Sequence, residues 1–385
     1  MFWQLNDMRI GLNFHTADEY ISGVEYYSLG LLNSLLSIDD KNQYIVFTNQ
    51  PTLVKRRVAA KDNLTVKDLS FLRTRTQRIL WEHLRLPAAA RKESLDILHC
   101  PHYICPVFKS DVPYITTIHD TIAIDHPDWC KTANAVYYNI FMKHTTAKAA
   151  KVIAVSKCTA ENISRRLKIE ESRITVIHPG IDSCFNDKTD LSRQQRIRLK
   201  YRLPERYILF VGNIEPKKNI ISLLRAFELL KQKRLPHKLV IVGKRTWKSK
   251  DTWNYIMSNF DPENITITGY ADRADLPSVY KMADVFVFVS LCEGFGFPAL
   301  EAMACGTAVA ASSTGILKEI DSRAYRCVKP SDPGQIARIV YSLITDNEWR
   351  HRQIEIARRE SSKFSWLKCV KKILSVYKEV IKSYE

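Results

Sequence analysis

The run Val285-Phe286-Val287-Phe288-Val289 contains no polar residue. A strand of this kind offers no side chain to water on either face, so it reads as a parallel strand covered on both sides. A chain that must cover such strands places helices between them, and that confines it to an α/β fold. The alternation is sustained. In the first half, residues 9–14, 44–48, 64–66, 97–99, 113–118, 152–155 and 174–177 read as strands. Helical patterns fall at 27–36 and 133–150, and Ser156 begins another helix as an N-cap. In the second half, residues 207–211, 238–242, 265–268 and 308–310 join 285–289 as strands, with helical patterns at 220–230, 333–345, 348–361 and 366–383.

At 385 residues the chain exceeds what one hydrophobic core supports, so two domains are expected. Residues 186–205 are polar and basic and read as the linker between a domain over 1–185 and another over 206–365. Two doubly wound halves place a ligand cleft between them, at the carboxyl ends of their strands.

With 45% hydrophobic and 26% charged residues the composition is that of a globular protein. No apolar run reaches the length of a membrane span, and residues 1–7 lack the parts of a signal peptide. Nine cysteines, an odd number scattered from Cys100 to Cys369, suit reduced thiols and a cytoplasmic setting. The net charge of +17 suits nucleic acid, anionic membrane or anionic substrates. It is spread out, and no aromatic-plus-basic ladder accompanies it, which argues against nucleic acid. The stretch from Arg73 to Leu86 mixes four arginines with Ile79, Leu80, Trp81 and Leu84. It suits a basic amphipathic helix in peripheral contact with an anionic membrane, on its inner face, or equally a surface helix packed on its own domain.

The chemistry-bearing stretch is Glu293-Gly294-Phe295-Gly296-Phe297-Pro298-Ala299-Leu300-Glu301, which follows the apolar strand and runs into a helix stopped by Gly306. Pro298 suits the first helical position. The glycines let backbone amides approach a ligand, and the helix start favours an anion such as a diphosphate. Two carboxylates beside an anion site suit hydroxyls, and a sugar nucleotide presents both groups. Solvated glutamates on an ordinary strand–turn–helix would give the same local pattern. In the same half, Gly212-Asn213-Ile214-Glu215-Pro216-Lys217-Lys218 follows the strand at 207–211. There Gly212 permits a tight turn, and Lys217 and Lys218 are placed to neutralise phosphate.

These motifs resemble the retaining glycosyltransferases of family 4. Glu293 and Glu301 fill the E-x7-E pattern, and the loop from Gly212 to Lys218, residues 176–182 and the N-terminal glycine loop around Gly23 also look like the family. The resemblance implies a GT-B fold, two facing Rossmann-like domains with parallel sheets and a cleft between them, the N-terminal one binding the acceptor. It also implies that the last helix, 366–385, returns to the N-terminal domain. By the same resemblance, Glu293 with the backbone of Gly294, Phe295 and Gly296 holds the donor sugar. Glu301 holds the ribose, and Lys218 the diphosphate of the leaving nucleotide. Lys217 stands where an arginine is common, Asn213 where some members supply a second cation, and Gly23 follows Ser22 where many members have a glycine pair. These departures bear on how much phosphate contact each position makes.

His119 ends a strand, where α/β folds place site residues. On residues alone it reads as a structural histidine bonded to Asp120 or backbone; the resemblance makes it a polar contact to the sugar. No carboxylate is placed for a double displacement, so a front-side route is expected, with Lys218 and the helix start carrying the electrostatic work. His99, Cys100, His102 and Cys105 match no common zinc spacing, and the chain has no Asp-x-Asp, so no metal and no other cofactor is expected. The pattern Arg78…Trp81-Glu82…Leu86-Pro87 looks most like the mannosyltransferase-like branch, which builds bacterial surface polysaccharides. That implies a hexose, mannose from GDP-mannose before a UDP-sugar, passed to a glycan or lipid-linked oligosaccharide. An epimerase or synthase of the same fold acting on a soluble acceptor, and a basic nucleic-acid-binding protein, are the competing readings.

Overall fold

Strand pairing among the described residues is parallel throughout, as strands without a polar face require. The computed structural model describes residues 7–14, 23–186, 188, 190–246 and 248–384. Two compact units emerge, Met1–Asp125 with Thr132–Gly180 and Ser365–Glu385, and His126–Lys131 with Ile181–Phe364.

In the first unit, strands β1 (Arg9–Phe14), β2 (Gln43–Thr48), β3 (Leu64–Asp68), β4 (Ile97–Cys100), β5 (Tyr114–Ile118), β6 (Lys151–Ala154) and β7 (Ile174–Val176) lie in the order β3-β2-β1-β4-β5-β6-β7. The second unit holds β8 (Tyr207–Val211), β9 (Lys238–Val242), β10 (Ile265–Gly269), β11 (Val285–Phe288), β12 (Ala308–Ala311) and β13 (Arg326–Cys327), in the order β10-β9-β8-β11-β12-β13. Each sheet therefore reverses its winding once, between β1 and β4 and between β8 and β11. Helices leave opposite faces of the sheet on the two sides of such a point, and a crevice opens at the strand ends between them.

The cores follow from the apolar stripes. In the second unit Leu223, Leu224, Phe227 and Leu230 of the helix Ile220–Gln232 pack with Phe210 and Val287. In the first, Leu86, Leu98, Ile118, Met142 and Val152 share one cluster.

Three segments differ from expectation. Residues 186–205 hold a helix, Leu191–Tyr201, capped by Asp190 and counted within the second unit, where the polar composition reads as a linker. Its charge does not preclude a helix, because Ile197 alone is needed inside. The stretch from Arg73 to Leu86 is not one regular helix. An α-helix, Arg75–Leu80, passes into a π-helical turn, Trp81–Arg85, and then into Leu86–Lys92. The extra residue in that turn directs Glu82 and His83 inward, so the buried side carries polar groups. Pro298 is the second residue of its helix, Phe297–Ala304. Ser22 lies outside the described residues, while Gly23 is the first residue of the helix Gly23–Ile38. All nine cysteines are free thiols. No helix among the described residues is long and apolar enough to cross a membrane.

The final helix, Trp366–Tyr384, belongs to the first unit. Trp366, Val370, Ile373, Tyr377 and Val380 recur at helical spacing and are buried. Trp366 lies so close to Gly30 that a β-carbon there would stand 2.3 Å from its ring, and its indole N–H points to the Tyr26 hydroxyl at 3.4 Å. Further along, the Tyr377 hydroxyl meets His99 Nδ1 at 2.6 Å. Replacing Trp366 with alanine is expected to cost about 3–5 kcal/mol in a denaturant titration, through lost burial and a cavity. Leu367→Ala, on the exposed side, is expected to stay within about 0.5 kcal/mol.

Candidate active site

The winding of the second sheet reverses between β8 and β11, and the loops that follow these two strands are tied together. The Leu291 amide donates to the Lys217 carbonyl at 2.8 Å, and the Asn219 side-chain amide donates to Val289 at 3.2 Å and Pro330 at 2.7 Å. Lys218 stands at the end of a single turn, Pro216–Lys218, and faces the other loop. Its Nζ lies 2.5 Å from Glu293 Oε1 and 5.3 Å from the centre of the Phe288 ring. Both side chains of the pair are 10% exposed. Gly212 runs beside this lysine, since a β-carbon there would stand 3.5 Å from Lys218 Cε.

Burial pushes the Glu293 carboxyl up, but the Lys218 ammonium and then the more distant Lys217 outweigh it and hold the group below the ordinary glutamate value. Glu293 is thus a buried anion kept ionised by a buried cation. An ammonium has three protons and Glu293 takes one, so Lys218 keeps donors for a second anion. Lys217 is more open, and its Nζ is 3.7 Å from Glu215. Asn213 accepts from the Lys244 amide at 3.4 Å.

A residue that sequence reasoning missed fixes the glutamate loop from behind. The Ile316 amide donates to the Phe295 carbonyl at 2.8 Å, and the preceding Gly315 has φ +53°. A β-carbon at Gly315 would lie 2.5 Å from the Phe295 carbonyl oxygen and 3.1 Å from that of Glu293. Only glycine lets the two backbones approach this closely. The signal available in the sequence is a glycine just after a strand. Gly296, with φ +104°, then leads into the helix Phe297–Ala304.

Glu301 does not join the lysine pair. It is 2% exposed, and its oxygens accept from Arg273 Nη2 at 2.8 Å and the Tyr280 hydroxyl at 3.1 Å. Arg273 also holds Asp182 through Nε at 3.1 Å. Neither partner is signalled locally, because Arg273 and Tyr280 come from a segment more than twenty residues away.

His119 and Gly23 belong to the first unit. His119 follows β5, and its Nε2 is 2.7 Å from the Pro101 carbonyl, so that nitrogen carries the proton and Nδ1 remains an acceptor. Burial pushes its pKa down, against the Pro101 carbonyl and Asp120, and the ring is neutral. Of the expected structural partners, backbone is the one it uses; Asp120 instead accepts from the Ile122 amide at 3.0 Å and the Tyr103 hydroxyl at 3.2 Å. His99 bonds Tyr377 and Thr117, and Cys105 donates to the Thr145 carbonyl. Among the described residues no three His, Cys, Asp or Glu side chains are grouped to hold a metal ion.

Comparison with known proteins bears on the family and the fold. The family described as Glycosyl transferases group 1 matches residues 192–360, and Glycosyltransferase Family 4 matches residues 21–184. The O-antigen chain mannosyltransferase B of Escherichia coli is 27% identical over 371 residues, covering 93% of this chain and 96% of that protein. An uncharacterised glycosyltransferase of Methanocaldococcus jannaschii is 30% identical over 307 residues, covering 74% and 76%. Among solved structures, Anabaena HepE in complex with UDP and glucose superimposes with a TM-score of 0.74 at 17% identity, covering 97% of this chain and 100% of that one. Likeness at that identity speaks for the fold, which is the Rossmann-like α/β class of the GT-B glycosyltransferases. With both halves of the chain matched and a relative 30% identical over three quarters of its own length, the protein belongs to the family 4 glycosyltransferases.

Proposed function

We propose that this glycosyltransferase moves a hexose from a nucleotide donor to a glycan acceptor with retention of anomeric configuration. Mannose from GDP-mannose is the preferred donor, and the acceptor is a lipid-linked chain of a surface polysaccharide. The observation that carries this reading is the Lys218–Glu293 pair at the reversal of the second sheet. Lys218 donates hydrogen bonds to the diphosphate and stabilises the charge that grows on it as the sugar leaves. Glu293, already ionised, accepts from the hydroxyls of the sugar, beside the backbone amides of Gly294, Phe295 and Gly296. Glu301 would take the ribose as a further partner, since its oxygens already hold Arg273 and Tyr280. His119 offers Nδ1 as an acceptor for a sugar hydroxyl. The departing diphosphate oxygen takes the acceptor's proton, and no metal ion enters the step. The preference for mannose rests on the Escherichia coli relative's name and on the motifs around Trp81 and Glu82.

Membrane contact is a second part of the reading, supported by three exposed apolar side chains in the first unit. Phe71, Leu80 and Leu84 are 61%, 53% and 55% exposed, with exposed Arg73 and Arg85 among them. Apolar side chains flanked by arginines suit the surface of an anionic bilayer.

Lys218→Met is expected to slow transfer at least ~100-fold, as loss of a transition-state donor does. It should also cost about 3–5 kcal/mol in a denaturant titration, because Glu293 is left buried and unpaired. The double variant Lys218→Met, Glu293→Leu is expected to recover much of that stability and none of the activity. Recovery of activity would reduce the pair to a structural role. GDP is expected to raise the melting temperature more than UDP or ADP, by mass action on the folded state. Product made from the α-linked donor should be α-linked by NMR, and exhaustive EDTA treatment should leave the rate unchanged. A β-linked product, or loss of activity restored by Mn²⁺, would overturn the mechanism. Flotation with phosphatidylglycerol vesicles should carry the protein upward and phosphatidylcholine vesicles should not, and Leu80→Ser with Leu84→Ser should abolish the difference.

A further inference from the structure

Glu301, the carboxylate given to the ribose above, is gripped by residues of separate segments of the second unit. It stands in the helix Phe297–Ala304 and is buried. Oε1 accepts from Arg273 Nη2 at 2.8 Å, and Oε2 accepts from the Tyr280 hydroxyl at 3.1 Å. One donor on each oxygen fixes the plane of the carboxylate, whereas a single donor would let it swing about that bond. Each oxygen can accept twice, so both keep a lone pair for a hydroxyl. Burial, reinforced by the Glu301 charge, pushes the Tyr280 hydroxyl well above its ordinary range, and it stays a donor.

Arg273 is itself held in place. Its Nε donates to Asp182 at 3.1 Å, and its guanidinium lies 4.7 Å from the centre of the buried Phe185 ring. The loop that carries it runs from β10 to the helix Leu276–Lys281 and is pinned by the helix Leu191–Tyr201. Lys200 Nζ donates to Asp272 at 2.8 Å and to Asp275 at 2.7 Å. The Tyr201 hydroxyl accepts from the Asp272 amide at 3.1 Å and donates to Asp275 at 2.9 Å. Arg193 donates to the Ala274 carbonyl at 2.5 Å, so the residues on both sides of Arg273 are fixed. A guanidinium with two carboxylate partners and a ring beneath it acts as a rigid fork, which a lysine cannot reproduce. Buried ion pairs gain little stability over apolar packing, so stability alone does not account for this one. The Arg273 loop leaves the carboxyl end of β10, and the Glu301 helix follows the loop from β11, at the edge where such sheets bind ligands.

We propose that Arg273 is a positioning residue that selects ribonucleotides over deoxyribonucleotides, by fixing the Glu301 carboxylate so that both its oxygens meet the two ribose hydroxyls together. This rests on the ribose role of Glu301 and adds the residue that makes that carboxylate selective. The test is calorimetric titration of the full chain with GDP and with dideoxy-GDP, which lacks both ribose hydroxyls. UDP and its dideoxy analogue replace them if UDP alone binds. The parent is expected to bind the ribonucleotide at least ~10-fold more tightly, because hydrogen bonds to a carboxylate are strong ones. Arg273→Leu should bring that ratio below ~3-fold, chiefly by weakening the ribonucleotide, and Arg273→Lys should leave it between the two. Leu223→Ala, which loosens the core of the same unit, should keep the parent ratio. An unchanged ratio in folded Arg273→Leu, or in Arg273→Lys if the leucine variant does not fold, overturns the assignment. So does a ratio lost equally in Leu223→Ala, because loosening alone would then explain it. A parent that binds both nucleotides alike overturns the ribose role of Glu301 and this inference with it. A parent that binds neither GDP nor UDP overturns the donor reading as a whole.

Discussion

Because the central strands of both sheets are covered on both faces, charged side chains have only the strand ends to occupy. Strands such as β8 and β11 are buried along their whole length, so a charged side chain within them would be left without a partner. At the reversal of each sheet the loops leave toward opposite faces and the chain opens. Lys218 and Glu293 sit at that point in the second unit. Their low exposure is affordable only as a pair: removed from water singly, either charge would cost several kcal/mol, and together each supports the other's ionisation. The hydrogen bonds from Leu291 to Lys217 and from Asn219 to Val289 hold the two loops in the register that makes the pairing possible.

How much of this could be read in the sequence depended on how local each signal was. The fully apolar runs announced parallel strands, and the order of strands and helices gave the α/β class. Glu293 and Lys218 were legible because each lies just beyond such a run, where a fold of this class places site residues. The partners of Glu301 were not. Arg273 and Tyr280 reach it through tertiary packing, and nothing in their neighbourhood distinguishes them from surface residues. Gly315 is of the same kind, since its role is to leave space for the Phe295 carbonyl and a lone glycine after a strand does not say which backbone it admits.

The stretch from Arg73 to Leu86 shows a different limit. Its composition reads as an amphipathic helix with an apolar inner face. The π-helical turn shifts the register by one residue, so Glu82 and His83 point inward while Leu80 and Leu84 stay in solvent. A regular helical wheel assigns these positions wrongly, because periodicity assumes a constant 3.6 residues per turn. Glu82, one of the polar side chains that this irregularity buries, lines a cavity of the first unit beside Tyr137 and Tyr138.

Charge then separates the two reversals. With a net charge of +17, the chain could have drawn anions to either. In the second unit Lys218 is paired with Glu293 and Lys217 stands 3.7 Å from Glu215, so two cations meet two carboxylates. In the first, burial pushes the imidazoles of His102 and His119 below their ordinary pKa, and aromatic rings line the cavity. Two sheets wound in the same way thus carry different side chains at their reversals, a buried ion pair in the second unit and tyrosines beside a buried carboxyl in the first.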